Sequence, residues 1–466
     1  MTLIHTTPLE AWIRRKISHI SGMNAYKSGN AHSFSQEQGP LTRALLESYQ
    51  RVKLRDTVHL ARSNSSFYRD RLAEFPPEKI KSLRDLQSLP FTTADDIRES
   101  PMRFVCCSQD EIRRIVTLES SGTTGLPKRI FFTADDQELT KDFFHRALGV
   151  VAKPGDKVLV LLPGERPGSV GELFADGALR MDVTPVAHGF VQDPEEALGV
   201  MEREKIDTLL GTPVQVLALA SCEAPGENKF RTHVKNVILN TDHAPKAVTK
   251  RIQQKWSCRV FNHYAMTEMG LGGGLECEAF DGYHMREADL LFEVVDPVTG
   301  ETLPDGEEGE VVFTTLTRQA MPLIRYRTGD FGRFIPEPCP CGTVLKRMGR
   351  VKDRLTGKVV LAGGGFISMS VLDEVLFSIP GVVNFRAVIS SAGQGDALSV
   401  QVQATAWSAS TTVELVRNAL LAIPVVAQKI RDGMLVVQPV EVDLSASVWR
   451  PAKRCIQDIR IGSGRK

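Results

Sequence analysis

The sequence predicts an α/β fold: a large N-terminal domain of helix-covered sheets with a small β-rich subdomain, then a smaller α+β domain at the C-terminus. Three observations lead there. From Val158 onward, short apolar runs alternate with helix-like stretches, the pattern of a sheet with parallel neighbours and helices on its faces. Beyond Leu290 the pattern becomes β-rich. A charged run at 349–354 (GRVKDR) then precedes about a hundred residues with an αβ pattern of their own. At 466 residues the chain is also too long for one compact core. The expected division is 1–350, with a helical start and a β-rich segment at 285–345, and 351–466.

Taken in order, residues 41–61 (LTRALLESYQRVKLRDTVHLA) space apolar side chains three and four apart, as one face of a helix requires. Thr92 and Thr93 before an Ala-Asp-Asp run offer a cap for a further helix. Strands are expected at 158–162, 208–210 and 236–239, with helices at 194–204, 213–222 and 245–256 between and after them. The apolar runs at 290–296 and 308–315 are separated by turn-forming PVTG and PDGEEG, which suggests a twisted antiparallel hairpin or small barrel. In the last part a helix at 371–378, strands at 382–389 and 398–404 and a helix at 411–422 are expected.

Lys and Arg number 57 against 56 Asp and Glu, a net charge of +1, so the basic excess of a dedicated nucleic-acid binder is missing. With 42% hydrophobic and 24% charged residues the composition is that of an ordinary globular protein rather than a disordered one. Polar residues interrupt every apolar stretch of residues 1–23, and no apolar run approaches the roughly 20 residues of a membrane span. A cytoplasmic location is therefore expected, where the eight cysteines serve as buried, catalytic or metal-bound thiols rather than disulfides.

The densest local signal is Ser120, Ser121, Gly122, Thr123, Thr124, Gly125, Leu126, Pro127 and Lys128, set between two apolar runs. Glycines let the backbone turn its N–H groups onto an anion, hydroxyls add donors, and Lys128 adds charge, a combination suited to a triphosphate. No Gly-Lys-Ser/Thr opens a helix here, so a Walker A loop is disfavoured. The plainer reading is a Ser/Thr/Gly turn between strands.

This loop resembles the phosphate loop of the adenylate-forming superfamily of acyl- and aryl-CoA synthetases. Three further stations follow in that family's order: Asn262-His263-Tyr264-Ala265-Met266-Thr267-Glu268, then Tyr326-Arg327-Thr328-Gly329-Asp330, then Gly349-Arg350 with Asp353. The opening ARSNSSFYRDRL, LPFTTADDIR, MPLIRYRTGD and the late CPCG are similar to the phenylacetate–CoA ligase branch. The resemblance implies two half-reactions. A carboxylate attacks the α-phosphorus of ATP to give acyl-AMP and pyrophosphate, and the thiol of coenzyme A then displaces AMP. Such chemistry asks for charge neutralisation and alignment.

It further implies that residues 120–128 hold the β- and γ-phosphates, Thr267 the α-phosphate, and Glu268 a Mg²⁺ ion, which prefers oxygen ligands. Tyr264 would stack on adenine, Asp330 would accept the ribose hydroxyls, and Arg350 would lie near the ribose. Asn262, His263, His243 and Ala244 complete the nucleotide contacts. Taken singly, Tyr264 also reads as a core aromatic and Asp330 as a turn residue. Asp353 marks the family's hinge, about which a mobile C-terminal domain turns between half-reactions. Gly363, Gly364 and Gly365 resemble its pantetheine-side loop or form a plain turn.

Two departures stand out. The family's glycine is Ala265, and the C-terminal adenylation lysine lacks its Gly-Lys context: Lys453 either fills that role from a shifted position or is a surface lysine. Cys277, His284, Cys339 and Cys341 form a donor set suited to structural Zn²⁺, although Cys-x-Cys is tighter than usual and buried thiols are the alternative. The substrate is expected to be an aryl or small organic acid held near Tyr264 and residues 271–274. An adenylating enzyme with an acceptor other than CoA, as in a related group of coenzyme synthetases, and a non-catalytic nucleotide-binding homologue are the competing functions. A homodimer fits the resemblance alone.

Overall fold

The computed structural model describes residues 7–28, 40–118, 126–223, 226–227, 229–351, 354, 357–444 and 454–460. The chain forms two compact units. The first takes Met1–Val151, Glu172–Met181 and His263–Arg350, the second Ala152–Gly171, Asp182–Asn262 and Val351–Lys466. The expected phosphate loop at 120–125, the hinge residue Asp353 and Lys453 all lie outside the described residues.

In the first unit, the apolar spacing at 41–61 becomes the helix Arg43–Asn64, whose buried face includes Leu46, Leu54 and Val58. Thr42 opens it by accepting a hydrogen bond from the backbone N–H of Leu45, as an N-cap does. Of the two threonines expected to cap the next helix, Thr93 does so, bonding to the backbone N–H of Asp96 at the start of Ala94–Glu99. Thr92 is used differently. Its backbone pairs with Arg325 and Arg327, which ties the segment to a distant strand.

Strands Ile112–Leu118 and Lys128–Thr133 pair antiparallel, with Leu118 opposite Lys128, so the glycine-rich stretch joins the two arms of a hairpin. Helix Ala134–Leu148 follows, capped by Thr133 with Asp136 in return. The β-rich segment is a three-stranded antiparallel sheet of Leu290–Val295, Gly309–Thr315 and Tyr326–Gly332, so the expected hairpin is present but does not close into a barrel. Short antiparallel strands at Gly274–Glu276, Tyr283–Met285, Phe334–Ile335 and Arg347–Met348 extend from the pairing of His263 and Tyr264 with Leu275 and Gly274.

In the second unit the expected strands appear as Lys157–Val160, Thr208–Gly211 and Asn236–Leu239, all parallel, with Thr184–Ala187 on one edge and residues 259–262 of the strand Arg259–Tyr264 completing the parallel set. Helices Pro194–Glu204, Pro213–Ser221 and Lys246–Trp256 alternate with them. Every residue of Pro213–Ser221 is buried, which explains why that helix shows no polar face in the sequence. After residue 357 come the short pair Lys358–Val360 and Phe366–Ser368, helix Met369–Leu376, and the long hairpin Val382–Ala392 with Gly395–Ala404. Gly363, Gly364 and Gly365 form the turn of the short pair, each in the left-handed region that favours glycine. One hydrophobic core runs through this unit, from Leu159, Leu209 and Val237 to Phe377, Phe385 and Val402. No helix among the described residues is long and apolar enough to cross a membrane.

Candidate active site

Lys128 begins its strand with its side chain turned inward, and its ammonium forms an ion pair with Glu268, 140 residues away in sequence. The hydroxyl of Tyr326 lies 3.1 Å from the Lys128 Nζ and donates to Glu268 Oε1 at 3.1 Å. All three side chains are buried. A cation, a carboxylate and a phenol in a water-poor setting interact far more strongly than they would at the surface. Glu268 is positioned by the single turn Thr267–Met269, which Gly270 ends in a left-handed conformation (φ 73°).

The Tyr-x-Thr-Gly-Asp stretch has a structural explanation as well as a chemical one. Arg327 pairs with Val312 and Phe331 with Glu310, so Thr328, Gly329 and Asp330 stand opposite Val311 alone and the strand bulges. The Thr328 hydroxyl donates to the Val311 carbonyl at 2.6 Å and accepts from the Asp330 N–H at 3.0 Å. Gly329 takes a left-handed backbone (φ 72°), and its N–H donates to Glu310. The bulge thereby aims Asp330 into the interior, where it is fully buried and accepts from the Tyr264 hydroxyl at 2.9 Å. The Tyr264 ring stacks on Tyr283 at 5.7 Å. Ala265, where the family has glycine, is not among the residues with positive φ, so its backbone needs no glycine.

Thr267 is half-buried beside Glu268. His263 lies against Phe143 and Phe144. Arg350, the last residue of the first unit, donates from Nε to Glu276 at 2.6 Å and from its terminal nitrogen to the Phe280 carbonyl at 3.3 Å. In the second unit Asn262 is buried and paired in the sheet with Leu239. Ala244 is buried, and the His243 Nδ1 lies 3.3 Å from the Val351 carbonyl. The first unit thus assembles Lys128, Thr267, Glu268, Tyr264, Asp330 and Arg350, while Asn262, His243 and Ala244 belong to the second.

Cys277, His284, Cys339 and Cys341 converge, with their four donor atoms all within 4.8 Å of one another. The sulfurs of Cys277 and Cys339 are 3.6 Å apart, and Cys341 Sγ lies 3.3 Å from His284 Nε2. A hydrogen bond from Cys341, against the cost of burial and with a second hydrogen bond from His284, pulls the Cys277 thiol below its ordinary range. Three sulfurs and one imidazole at this spacing fit tetrahedral Zn²⁺.

The AMP-binding enzyme family model matches residues 89–317. The phenylacetate–coenzyme A ligase of Thermus thermophilus is 31% identical over 79% of this chain and 84% of its own length. That of Aromatoleum evansii is 30% identical over 77% and 81%. The chain belongs to the phenylacetate–coenzyme A ligase family. A crystal structure of 2-hydroxyisobutyryl-CoA ligase in complex with 2-HIB-AMP shares the fold, with a TM-score of 0.75 at 21% identity over 91% of each chain.

Membership of the phenylacetate–coenzyme A ligase family explains the order of the stations but not every side chain that builds them here. Tyr326 was readable only as the first letter of its motif, yet it is the hydroxyl that joins Lys128 to Glu268. Arg454 was unsingled in the sequence. It is buried and binds Asp373 through two nitrogens at 2.6 and 3.0 Å and Asp242 at 3.0 Å. Nothing in residues 449–455 distinguishes it from its neighbours.

Proposed function

We propose that this chain is an AMP-forming carboxylic acid–CoA ligase, which adenylates an aryl or small organic acid with ATP and then forms the thioester with coenzyme A. The observation that carries the reading is the buried Lys128–Glu268–Tyr326 set in a member of this family, with Asp330, on the same strand as Tyr326, accepting a hydrogen bond from Tyr264. Residues 120–125 and Lys128 would hold the β- and γ-phosphates, Thr267 the α-phosphate, and Glu268 a Mg²⁺ ion, which neutralises charge developing on the phosphate oxygens. Asp330 would take the ribose hydroxyls, with Tyr264 both bracing its carboxylate and offering a face to adenine, and Arg350 standing near the ribose. Asn262, His243 and Ala244 would supply further nucleotide contacts, while His263, whose ring lies against Phe143 and Phe144, would not; Lys453 would be the adenylation lysine. Residues 351–466 would turn as a mobile domain about Asp353. A cytoplasmic location and a homodimer complete the reading, the latter measurable by light scattering.

Acid-dependent ATP–pyrophosphate exchange across a panel of carboxylates, followed by addition of CoA, tests the function. Exchange followed by a thioester is expected. Exchange without a thioester would point to another acceptor, and no exchange with any acid would remove the reading. Within the same assay, Asp330→Asn is expected to raise the KM for ATP by about tenfold or more, since one charge-assisted hydrogen bond is worth roughly 1.5–3 kcal/mol. A KM unchanged in a folded variant would take Asp330 out of the nucleotide site.

Cys277, His284, Cys339 and Cys341 would hold a structural Zn²⁺ ion, tying strand Tyr283–Met285 to the turn that carries Cys339 and Cys341. Elemental analysis of protein never exposed to chelator is expected to give about one zinc per chain, and Cys341→Ala to give little and to melt at a lower temperature. Wild-type protein without stoichiometric metal would defeat this assignment.

A further inference from the structure

We propose that His263 reads a neutral hydrogen-bonding group, in the simplest case a hydroxyl, on the tail of the carboxylic acid, so that the preferred substrates are oxygenated acids rather than plain hydrocarbon ones. The inference rests on the acid–CoA ligase reading above and names the substrate class of that site.

His263 directly precedes Tyr264, at the end of the strand that leads to the Thr267–Met269 turn. Its ring stacks on Phe143 at 6.0 Å and meets Phe144 at 6.3 Å, and Phe144 in turn packs against Phe174 at 5.6 Å. The loop of the expected acid pocket presses on the same wall: a Cβ at Gly272 would fall 2.3 Å from the Phe143 ring. These are apolar aromatic surroundings, of the kind that take the tail of a small ligand while a few polar groups fix its orientation.

His263 is a polar member of that wall, together with Arg286, whose guanidinium lies over the Phe143 ring at 5.0 Å. The histidine is only half-buried as a residue, yet its Nε2 is sealed from solvent and has no hydrogen-bond partner among the described residues. A buried ring nitrogen left unpaired is costly, and in a native protein such a group calls for an explanation. Histidine cannot serve as a counter-ion here. Burial first, and then the Arg286 guanidinium, pull its imidazole down to about 4, so it is neutral at physiological pH. Arg286 is itself committed to Asp289 at 2.8 Å and to the Leu139 carbonyl at 2.7 Å. A neutral imidazole offers one donor and one acceptor, which suits a hydroxyl or carbonyl and gives no advantage to a second negative charge. A site that hydrogen-bonds a substrate hydroxyl discriminates strongly against the analogue lacking it, because its own polar group is then left unpaired.

The test is ATP–pyrophosphate exchange with matched acids: phenylacetate against its three monohydroxy derivatives, and benzoate against its own. Wild type is expected to favour a hydroxylated member of one set by at least about tenfold in kcat/KM. His263→Leu should erase that preference by losing the hydroxylated acid while keeping or gaining the plain one, and His263→Gln should restore part of it. Equal use of both members by wild type, or a ratio that survives in folded His263→Leu and His263→Gln, overturns the proposal while leaving the ligase reading intact. Failure of every acid in wild type overturns both.

Discussion

Exchange of Lys128 for methionine will cut acid-dependent ATP–pyrophosphate exchange by about 10²–10³-fold, the usual loss when one preorganised group facing developing charge is removed. It will also destabilise the protein, for a separate reason. Glu268 is buried, and Lys128 is its cation. Removing one partner of a buried ion pair costs about 3–5 kcal/mol, because the other charge is left uncompensated, whereas neutralising both costs little. The two effects come apart in the double variant Lys128→Met/Glu268→Gln, which should regain most of the lost unfolding free energy but none of the exchange activity. Urea unfolding and exchange assays on the two single variants and the double complete a mutant cycle. Recovery of activity together with stability would show that the pair is structural only.

Replacement of Arg454 by methionine should be comparably damaging. Its guanidinium joins Asp242, beside His243, to Asp373 on the helix Met369–Leu376, and lies over the rings of Phe377 and Phe385 at 5.0 and 5.6 Å. Without it two carboxylates face each other, one of them almost fully buried, for a loss of about 3–5 kcal/mol near neutral pH. The loss should depend on pH in a defined direction. Burial, with help from Asp242, pushes the Asp373 carboxyl up to about 6 from an ordinary 3.8, against the pull of Arg454. A carboxyl raised in the folded state contributes stability that is present below the unfolded pKa and is lost as pH rises through the folded one. With the cation gone the folded pKa climbs further, so the deficit of the variant against wild type should be small at pH 5 and grow between pH 6 and 8. A deficit independent of pH would mean that the packing on Phe377 and Phe385, and not the charge, is what Arg454 provides. If Lys453 is the adenylation lysine, the same variant should also lose acyl-AMP formation while retaining thioester formation from supplied acyl-AMP.

Much of the fold was legible because burial writes periodicity into the chain. The spacing at 41–61 gave the helix Arg43–Asn64, and the short apolar runs gave the parallel strands, since strands covered on both faces need no polar alternation. The candidate site was legible where chemistry is concentrated in one stretch, as at 262–268 and 326–330. It was illegible where a single side chain acts across the fold. The bond of Tyr326 to Glu268 and the places of Phe143 and Arg454 are not written locally: strands and helices bring Glu268, Gly272 and Asp373 to them, over separations of 58, 129 and 81 residues. The four metal-type donors fall between these cases: their residue types were readable, but Cys277 and Cys339 are 62 residues apart, and only folding shows that they meet.

The bulge at Thr328, Gly329 and Asp330 makes the length of its strand as important as its composition. Downstream of it Phe331 and Gly332 pair with Glu310 and Gly309, while upstream Tyr326 and Arg327 pair with Phe313 and Val312. A one-residue deletion anywhere in the bulge would break that register, and a slip of one position turns every later side chain to the opposite face. A two-residue deletion would restore a flat ladder but remove the hydroxyl and the left-handed glycine that turn Asp330 inward. This segment should therefore accept conservative exchanges far better than any insertion or deletion.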